Sequence, residues 1–330
     1  MKQVPNVVTV GGGTGTFVVL SGLKNYQVKL SAVVSMMDSG GSTGRLRDQL
    51  GVLPPGDLRQ SLVALSESED IWRKLFTYRF ESGELLGHNF GNIFLSALEK
   101  ITGSSKDAVL HAMRILQTRG DVIPVTLDNS SLCANYEDGT SLCRESDIDE
   151  YAGKSKILKM YLKPNALINI DAKHAIERAD YIIFGPGDLY TSIIPNLLVT
   201  GMSEILANLN TKKIFITNLM TKTGQTDNYK VSDFINKIEE YMSGESFDYI
   251  LINSTPFDKS LIEVYKEIDN AVPVVDDLQK DKYHGAKIIR TDLLSKYVFQ
   301  TGKSDKIRRS LLRHDADKLA KTLFKIMSTR

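Results

Sequence analysis

Six short apolar runs recur along the chain, each rich in β-branched residues and separated by stretches of helical period. They are Val7–Val10, Lys29–Ser35, Tyr181–Phe184, Lys213–Thr217, Tyr249–Asn253 and Lys287–Arg290. Continuous rather than alternating apolarity suits strands covered on both faces. The segments between them carry single apolar stripes, as in Val231, Phe234, Ile235, Ile238, Tyr241 and Met242. This alternation predicts a Rossmann-like α/β fold: a doubly wound, mostly parallel sheet. Two interruptions are expected, a helical insertion over about 57–118 and a small β excursion over about 121–163 with a hairpin turn at Asp138-Gly139. No repeat or low-complexity linker divides the 330 residues, so 1–330 reads as a single domain. The last helix carries Leu319, Leu323 and Ile326 on its apolar side.

In a fold of this kind, ligands sit where strand ends meet helix starts. The first such junction is Gly11-Gly12-Gly13-Thr14-Gly15, between the first strand and the apolar FVVL segment. Bare backbone there lets a phosphate reach N–H groups at the positive end of a helix. The alternative is a tight turn that needs positive φ. The spacing puts Thr16 where a dinucleotide fingerprint needs its third glycine, and no Lys-Ser/Thr follows as in a Walker loop. An NAD-dependent oxidoreductase is therefore the weakest of three functional readings.

A second junction, MMDSGGSTGRLRD, repeats the pattern with Gly40, Gly41, Ser42, Thr43 and Gly44, and adds Asp38, Arg45 and Arg47. Asp38 is open to three roles: a divalent metal ligand, a direct ligand contact, or a turn or cap aspartate. Asp57 is expected to cap the helix that follows Pro54-Pro55-Gly56, with Asp57 and Arg59 as secondary site candidates. His88, Asn89 and Asn92 cluster in GHNFGN, where side-chain amides suit sugar hydroxyls and phosphate oxygens. Later strand ends bring Gly187 and Asp188, then Asn218 and Thr223, then Asn253. Small polar residues at several strand ends mark one rim more firmly than any single loop does.

Charge and composition narrow the class. Forty-one Lys and Arg balance 40 Asp and Glu, which argues against a nucleic-acid binder. No apolar run reaches the roughly 18 residues of a membrane span, and MKQVPNVV leads straight into a strand rather than a signal peptide. Cys133 and Cys143 match neither a metal-site spacing nor a disulfide framework and are expected to be reduced, as in a cytoplasmic protein.

The ordered blocks GGGTG, DSGGSTGRLRD, LPPGDLRQSL, GHNFGN, FGPGDLYTSIIPNLLV and NLMTKTGQTDNY, closing on Arg313-His314-Asp315, resemble the YvcK-type gluconeogenesis factors of the CofD-like superfamily. The resemblance covers nearly the whole chain. It implies a CofD-like fold, a cytoplasmic protein and binding of UDP-sugars, notably UDP-N-acetylglucosamine. It also implies a role in cell shape and envelope synthesis during gluconeogenic growth. The other branch implies transfer of a phospholactyl group with a divalent metal. Carried onto this chain, the phosphate loop is Gly11–Gly15, the polar rim includes Asn89, Asn92, Asp188, Asn218 and Thr223, and Arg313 is a ligand-binding position. The family usually has two aspartates where this chain has Asp38-Ser39, which counts against a tight metal site.

Three expectations follow. The ligand is a UDP-sugar or another nucleotide diphosphate, held by a regulator without turnover; an active CofD-like transferase is the alternative. No cofactor is obligatory, and magnesium at Asp38 is the one metal considered. No protein partner is identified, and a homo-oligomer is left open.

Overall fold

The computed structural model describes residues 4–151, 155–296 and 311–328. The chain begins with β1 (Asn6–Gly11), α1 (Gly13–Leu23) and β2 (Lys29–Val34). Five helices follow: α2 (Gly41–Leu50), α3 (Gly56–Leu65), α4 (Asp70–Thr77), α5 (Phe90–Thr102) and α6 (Ser105–Leu116). Then come β3 (Asp121–Pro124), β4 (Ser131–Tyr136), β5 (Ser141–Cys143), α7 (Glu145–Glu150), β6 (Ile157–Lys163), α8 (Ile170–Glu177) and β7 (Tyr181–Phe184). A π-helical turn over Leu189–Ile193 leads into α9 (Ile194–Leu197) and α10 (Met202–Ala207). The remainder is β8 (Lys212–Ile216), α11 (Val231–Tyr241), β9 (Tyr249–Asn253), α12 (Lys259–Asp269), β10 (Lys282–Tyr283), β11 (Ala286–Thr291) and α13 (Ala316–Ser328).

The main sheet has the order β10-β11-β9-β8-β7-β1-β2-β3. All its pairings are parallel except that of β10 with β11. The fold is the expected doubly wound α/β type. Strand order reverses at β1, which lies between β2 and β7. Loops leaving the ends of β1 and β7 therefore meet at the topological switch point, where sheets of this kind bind ligands. The six apolar runs coincide with β1, β2, β7, β8, β9 and β11, and the predicted stripe of α11 is buried at Val231, Phe234, Ile235 and Ile238.

Two expectations need correction. Asp121–Pro124 is not part of the β excursion; it pairs with β2 as the last strand of the main sheet. Gly120 makes this possible, because a Cβ there would stand 2.6 Å from the Leu30 carbonyl oxygen, and proline is tolerated at such an edge. The excursion proper is the separate sheet β5-β4-β6. Its hairpin turns at Asp138-Gly139 as expected, with Gly139 at φ +83°. That turn sets Cys133 directly opposite Cys143, Cα atoms 4.0 Å apart, and the two are disulfide-bonded rather than reduced. Their partnership comes from register, which the ten-residue spacing does not reveal.

Helix α13 buries Leu319, Leu323 and Ile326 and packs against α1 at Gly22, where a Cβ would lie 2.2 Å from the Ala316 carbonyl oxygen. Backbone cannot rotate away as a side chain can. Gly22→Ala is expected to cost roughly 1–3 kcal/mol, the range for overpacking, as a lowered denaturant midpoint. An unchanged midpoint would show that α13 docks with slack.

Candidate functional site

Strand β1 hands over to α1 through the first glycine loop. Gly12 is the extended N-cap residue, and no side chain of its own caps the helix. The glycines serve different ends. A Cβ on Gly11 would meet Thr16 Oγ1 at 2.7 Å, one on Gly12 would meet Asp57 Oδ2 at 2.1 Å, and one on Gly15 would meet the Pro186 carbonyl oxygen at 1.9 Å. These three let the strand, α3 and the Gly185–Gly187 loop close on one another. Gly13 differs: it holds φ +66°, and its nearest neighbours to such a Cβ are 4.0 Å away. Thr14 stands beside it in the first turn of α1.

The second loop begins α2 in the same manner. Gly40 is the N-cap residue without a side-chain cap, and Gly41 holds φ +45°. Uncapped helix starts favour negative charge. Here the protein's own carboxylates take the loop amides. Gly13 N–H donates to Asp57 Oδ1 at 2.9 Å, Gly40 N–H to Asp38 Oδ1 at 2.9 Å, and Ser39 N–H to Glu145 Oε2 at 3.3 Å. The correction for Asp57 follows: the N-cap of α3 is Pro55, and Asp57 sits in its first turn facing the other loop.

Crowding three acids has an electrostatic cost. Burial and then the Asp38 charge push the Asp57 carboxyl up to about 7, against the Gly13 amide and Arg59. Burial raises Asp38 as well, opposed by the Gly40 amide, the Thr43 hydroxyl and Arg59. Glu145 lies well above its ordinary value through burial, Asp38 and Asp149. Arg59 is the buried counter-charge: its Nε donates to Asn92 Oδ1 at 2.8 Å and its Nη1 to the Phe76 carbonyl at 3.2 Å. Asn92 Nδ2 in turn donates to Thr43 Oγ1 at 3.3 Å, completing a chain from Asp38 through Thr43 and Asn92 to Arg59.

On the far side, Lys222 Nζ donates to Asp149 Oδ1 at 2.8 Å and Asp188 Oδ2 at 2.7 Å, and Gln225 Nε2 reaches Asp149 at 2.6 Å. Burial opposes the lysine's charge, but Asp188 and Asp149 outweigh it and hold its pKa above the ordinary value. This network joins α7 to the loops after β7 and β8. Sequence reasoning missed Lys222, Glu145 and Asp149. Lys222 lay inside a recognised block; the acids of α7 had no local signal, since Ser39 is 106 residues from Glu145.

The remaining candidates divide. Asn218 Nδ2 donates to the Gly187 carbonyl at 2.8 Å while its buried Oδ1 has no hydrogen-bond partner among the described residues. Thr223 is next to Lys222 in the same loop. Asn89 caps α5 by accepting from Asn92 N–H. Ser42 Oγ accepts from Asn89 N–H at 3.1 Å and shares a hydrogen bond of 3.2 Å with His88 Nδ1, whose direction depends on the imidazole tautomer. Burial, then Arg45 and Arg79, lower the His88 pKa. Arg45 Nη2 donates to the Leu86 carbonyl at 3.2 Å. Arg47 is turned to the small sheet, donating to Asn129 Oδ1 and the Ser130 carbonyl at 2.8 Å each. Asn253 accepts from Leu293 N–H and Thr255 N–H, shaping its own turn. Arg313 lies beside His314, which bridges to Leu294 and hydrogen-bonds the backbone of Thr217 at the end of β8.

A cavity of about 440 Å³ lies elsewhere, at the opposite ends of β1, β2 and β3, between α6 and α8. It contains none of these loops, and α/β sheets bind ligands outside the carboxyl ends of their strands. The crevice at the glycine loops is the stronger site on chemical grounds.

His314 is 7% exposed, and its buried Nε2 has no hydrogen-bond partner among the described residues. Burial lowers its pKa from 6.5 to about 4. The unfolded chain takes up this proton as pH falls through about 6.5 while the folded chain resists it, so stability is lost between about pH 6.5 and 4. The loss should approach about 3 kcal/mol. Denaturation of wild type and His314→Gln across that window checks this; parallel profiles would contradict it.

The family of 2-phospho-L-lactate transferase CofD matches residues 7–294. A gluconeogenesis factor from Bacillus subtilis is 38% identical over 329 residues, covering 99% of each chain. A Thermotoga maritima relative is 40% identical over 322 residues, 97% of this chain and 98% of its own. A crystal structure of a Bacillus halodurans protein superposes with a TM-score of 0.90 at 36% identity, over 98% of this chain and all of that one. With a family match and such relatives spanning nearly its whole length, the chain belongs to the CofD family, among its gluconeogenesis factors.

Proposed function

We propose that the chain binds a nucleotide sugar of the UDP-N-acetylglucosamine type in the crevice at the ends of β1, β2, β7 and β8. In this reading it acts in the cytoplasm as a regulator that links gluconeogenic carbon supply to cell shape and envelope synthesis. The observation that carries the reading is the pair of helix starts that follow adjacent strands with glycine as the N-cap residue, where the Gly13, Ser39 and Gly40 amides are engaged instead by carboxyl oxygens from Asp57, Glu145 and Asp38. A diphosphate offers the same oxygens at the same helix ends. Asn218 Oδ1, buried with no hydrogen-bond partner among the described residues, would supply an acceptor for a base or sugar donor.

Binding without turnover is supported by Ser42 and His88, whose approach resembles a nucleophile and base. Both are buried, and Ser42 Oγ already accepts the Asn89 amide, so the pair serves as a brace between α2 and α5. The transferase alternative has its own support in Asp57, which supplies beside Asp38 the second carboxylate missing at Ser39. Among the described residues no three such groups form a ready metal cluster. Magnesium, however, commonly takes one or two carboxylates together with ligand phosphates. A magnesium ion entering with the diphosphate would be held by Asp38 and Asp57 and would neutralise phosphate charge.

Calorimetry with UDP-N-acetylglucosamine and magnesium tests the reading. Wild type should bind saturably. Gly13→Val, checked for folding by circular dichroism, should lose binding because its side chain enters the phosphate's approach. Arg313→Ala should weaken binding by roughly 1.5–3 kcal/mol, the range for hydrogen bonds to charged groups. The nucleotide sugar should be recovered unchanged after long incubation. A new product by mass spectrometry, rising with protein concentration, would establish the transferase instead.

A further inference from the structure

The carboxylate on the Ser39 amide comes from a different layer of the fold. Glu145 opens α7, which follows directly on the β4–β5 hairpin. Its Oε2 lies 3.7 Å from where a Cβ on Gly40 would stand. Ser146 N–H donates to Ser39 Oγ at 3.0 Å and reinforces the contact. An acid at the start of α2 occupies the place that a helix N-terminus offers to a phosphate oxygen.

The hairpin that carries α7 is strapped by the Cys133–Cys143 disulfide. Only Arg144 separates the second sulfur from Glu145. That residue holds φ +120°, a region unfavourable for any side chain. It is fixed at both ends: its N–H donates to the Leu132 carbonyl at 2.8 Å, and its guanidinium pairs with Asp48 of α2 at 2.7 Å. A change at the sulfurs therefore reaches the Glu145 carboxylate through one constrained residue.

We propose that α7 is a built-in competitor for the second anion position, and that the thiol state of Cys133 and Cys143 sets how firmly Glu145 holds it. This rests on the nucleotide-diphosphate reading above and concerns regulation of that same crevice. Cys143 is exposed and Cys133 buried. A dithiol reductant attacks Cys143 Sγ and breaks the S–S bond, and Cys133 leaves as thiolate. The second sulfur of the dithiol then attacks the mixed disulfide and releases Cys143. Two electrons pass to the protein, the reductant closes its own disulfide, and solvent protons complete the protein thiols. With the strap open, α7 keeps its Arg144, Ser146 and Asp149 contacts but loses the covalent tie to β4, so the ligand displaces Glu145 from the Ser39 amide more easily.

Calorimetry with UDP-N-acetylglucosamine on the full chain, with and without dithiothreitol, provides the test, with thiols counted in parallel. Reduction should tighten wild-type binding by about tenfold, the scale of one charged hydrogen bond. Cys143→Ser should match reduced wild type. Glu145→Gln should bind tightly in both states and lose most of the dependence on dithiothreitol. Equal wild-type affinities in the two verified thiol states overturn the switch, as does tightening that persists undiminished in Glu145→Gln. Absence of binding in every variant and state removes the nucleotide-sugar reading itself, and the proposal with it.

Discussion

The crevice depends on a missing methyl group. Gly15 places the first turn of α1 against the Pro186 carbonyl, at a distance no side chain could share. That approach draws the loop after β1 onto the loop after β7, across the point where strand order reverses. Gly12 does the same for Asp57 of α3, and Gly56 for Asp38, whose Oδ2 would be 2.2 Å from a Cβ there. Three close approaches compress two helix starts, a proline-bearing turn and two aspartates into one volume. The glycine-rich character of the loops serves packing first; in the first loop, only at Gly13 would a Cβ meet nothing closer than 4.0 Å.

Compression creates the electrostatic problem that the rest of the site answers. Acids gathered at helix N-termini gain from the dipoles, yet they raise one another's pKa. Arg59 offsets the inner pair through a chain of amides and hydroxyls, and Lys222 offsets the outer pair through direct contacts. Removing one partner of such a network leaves the other acids poorly compensated. On the proposed reading, a diphosphate would replace carboxylates at the amides, and affinity would be a difference between two well-satisfied arrangements. Small changes in the hold on α7 then shift that difference.

The strands of the main sheet were legible because a continuous β-branched run between helical stripes is a local signal. The glycine loops were legible for the same reason, and the structure brings both to one crevice. What escaped was set by distant register. Asp121–Pro124 is four residues long, and its parallel register with β2, a non-local feature, assigns it to the main sheet. Cys133 meets Cys143 because the hairpin register aligns them. Asp57 was read as a cap from its place after Pro-Pro-Gly, whereas its carboxylate answers to Gly13, 44 residues away. Glu145, Asp149 and Lys222 carry ordinary surface identities and gain their roles through long-range contacts.

The central claim is that loop amides now held by the protein's own carboxylates are the anion site. A crystal structure with UDP-N-acetylglucosamine tests it most directly. The account predicts diphosphate oxygens within hydrogen-bond distance of the Gly13 and Ser39 or Gly40 amides, with Asp57 or Glu145 displaced from them. A ligand seated in the cavity at the opposite ends of β1, β2 and β3, with those carboxylates unmoved, would contradict it.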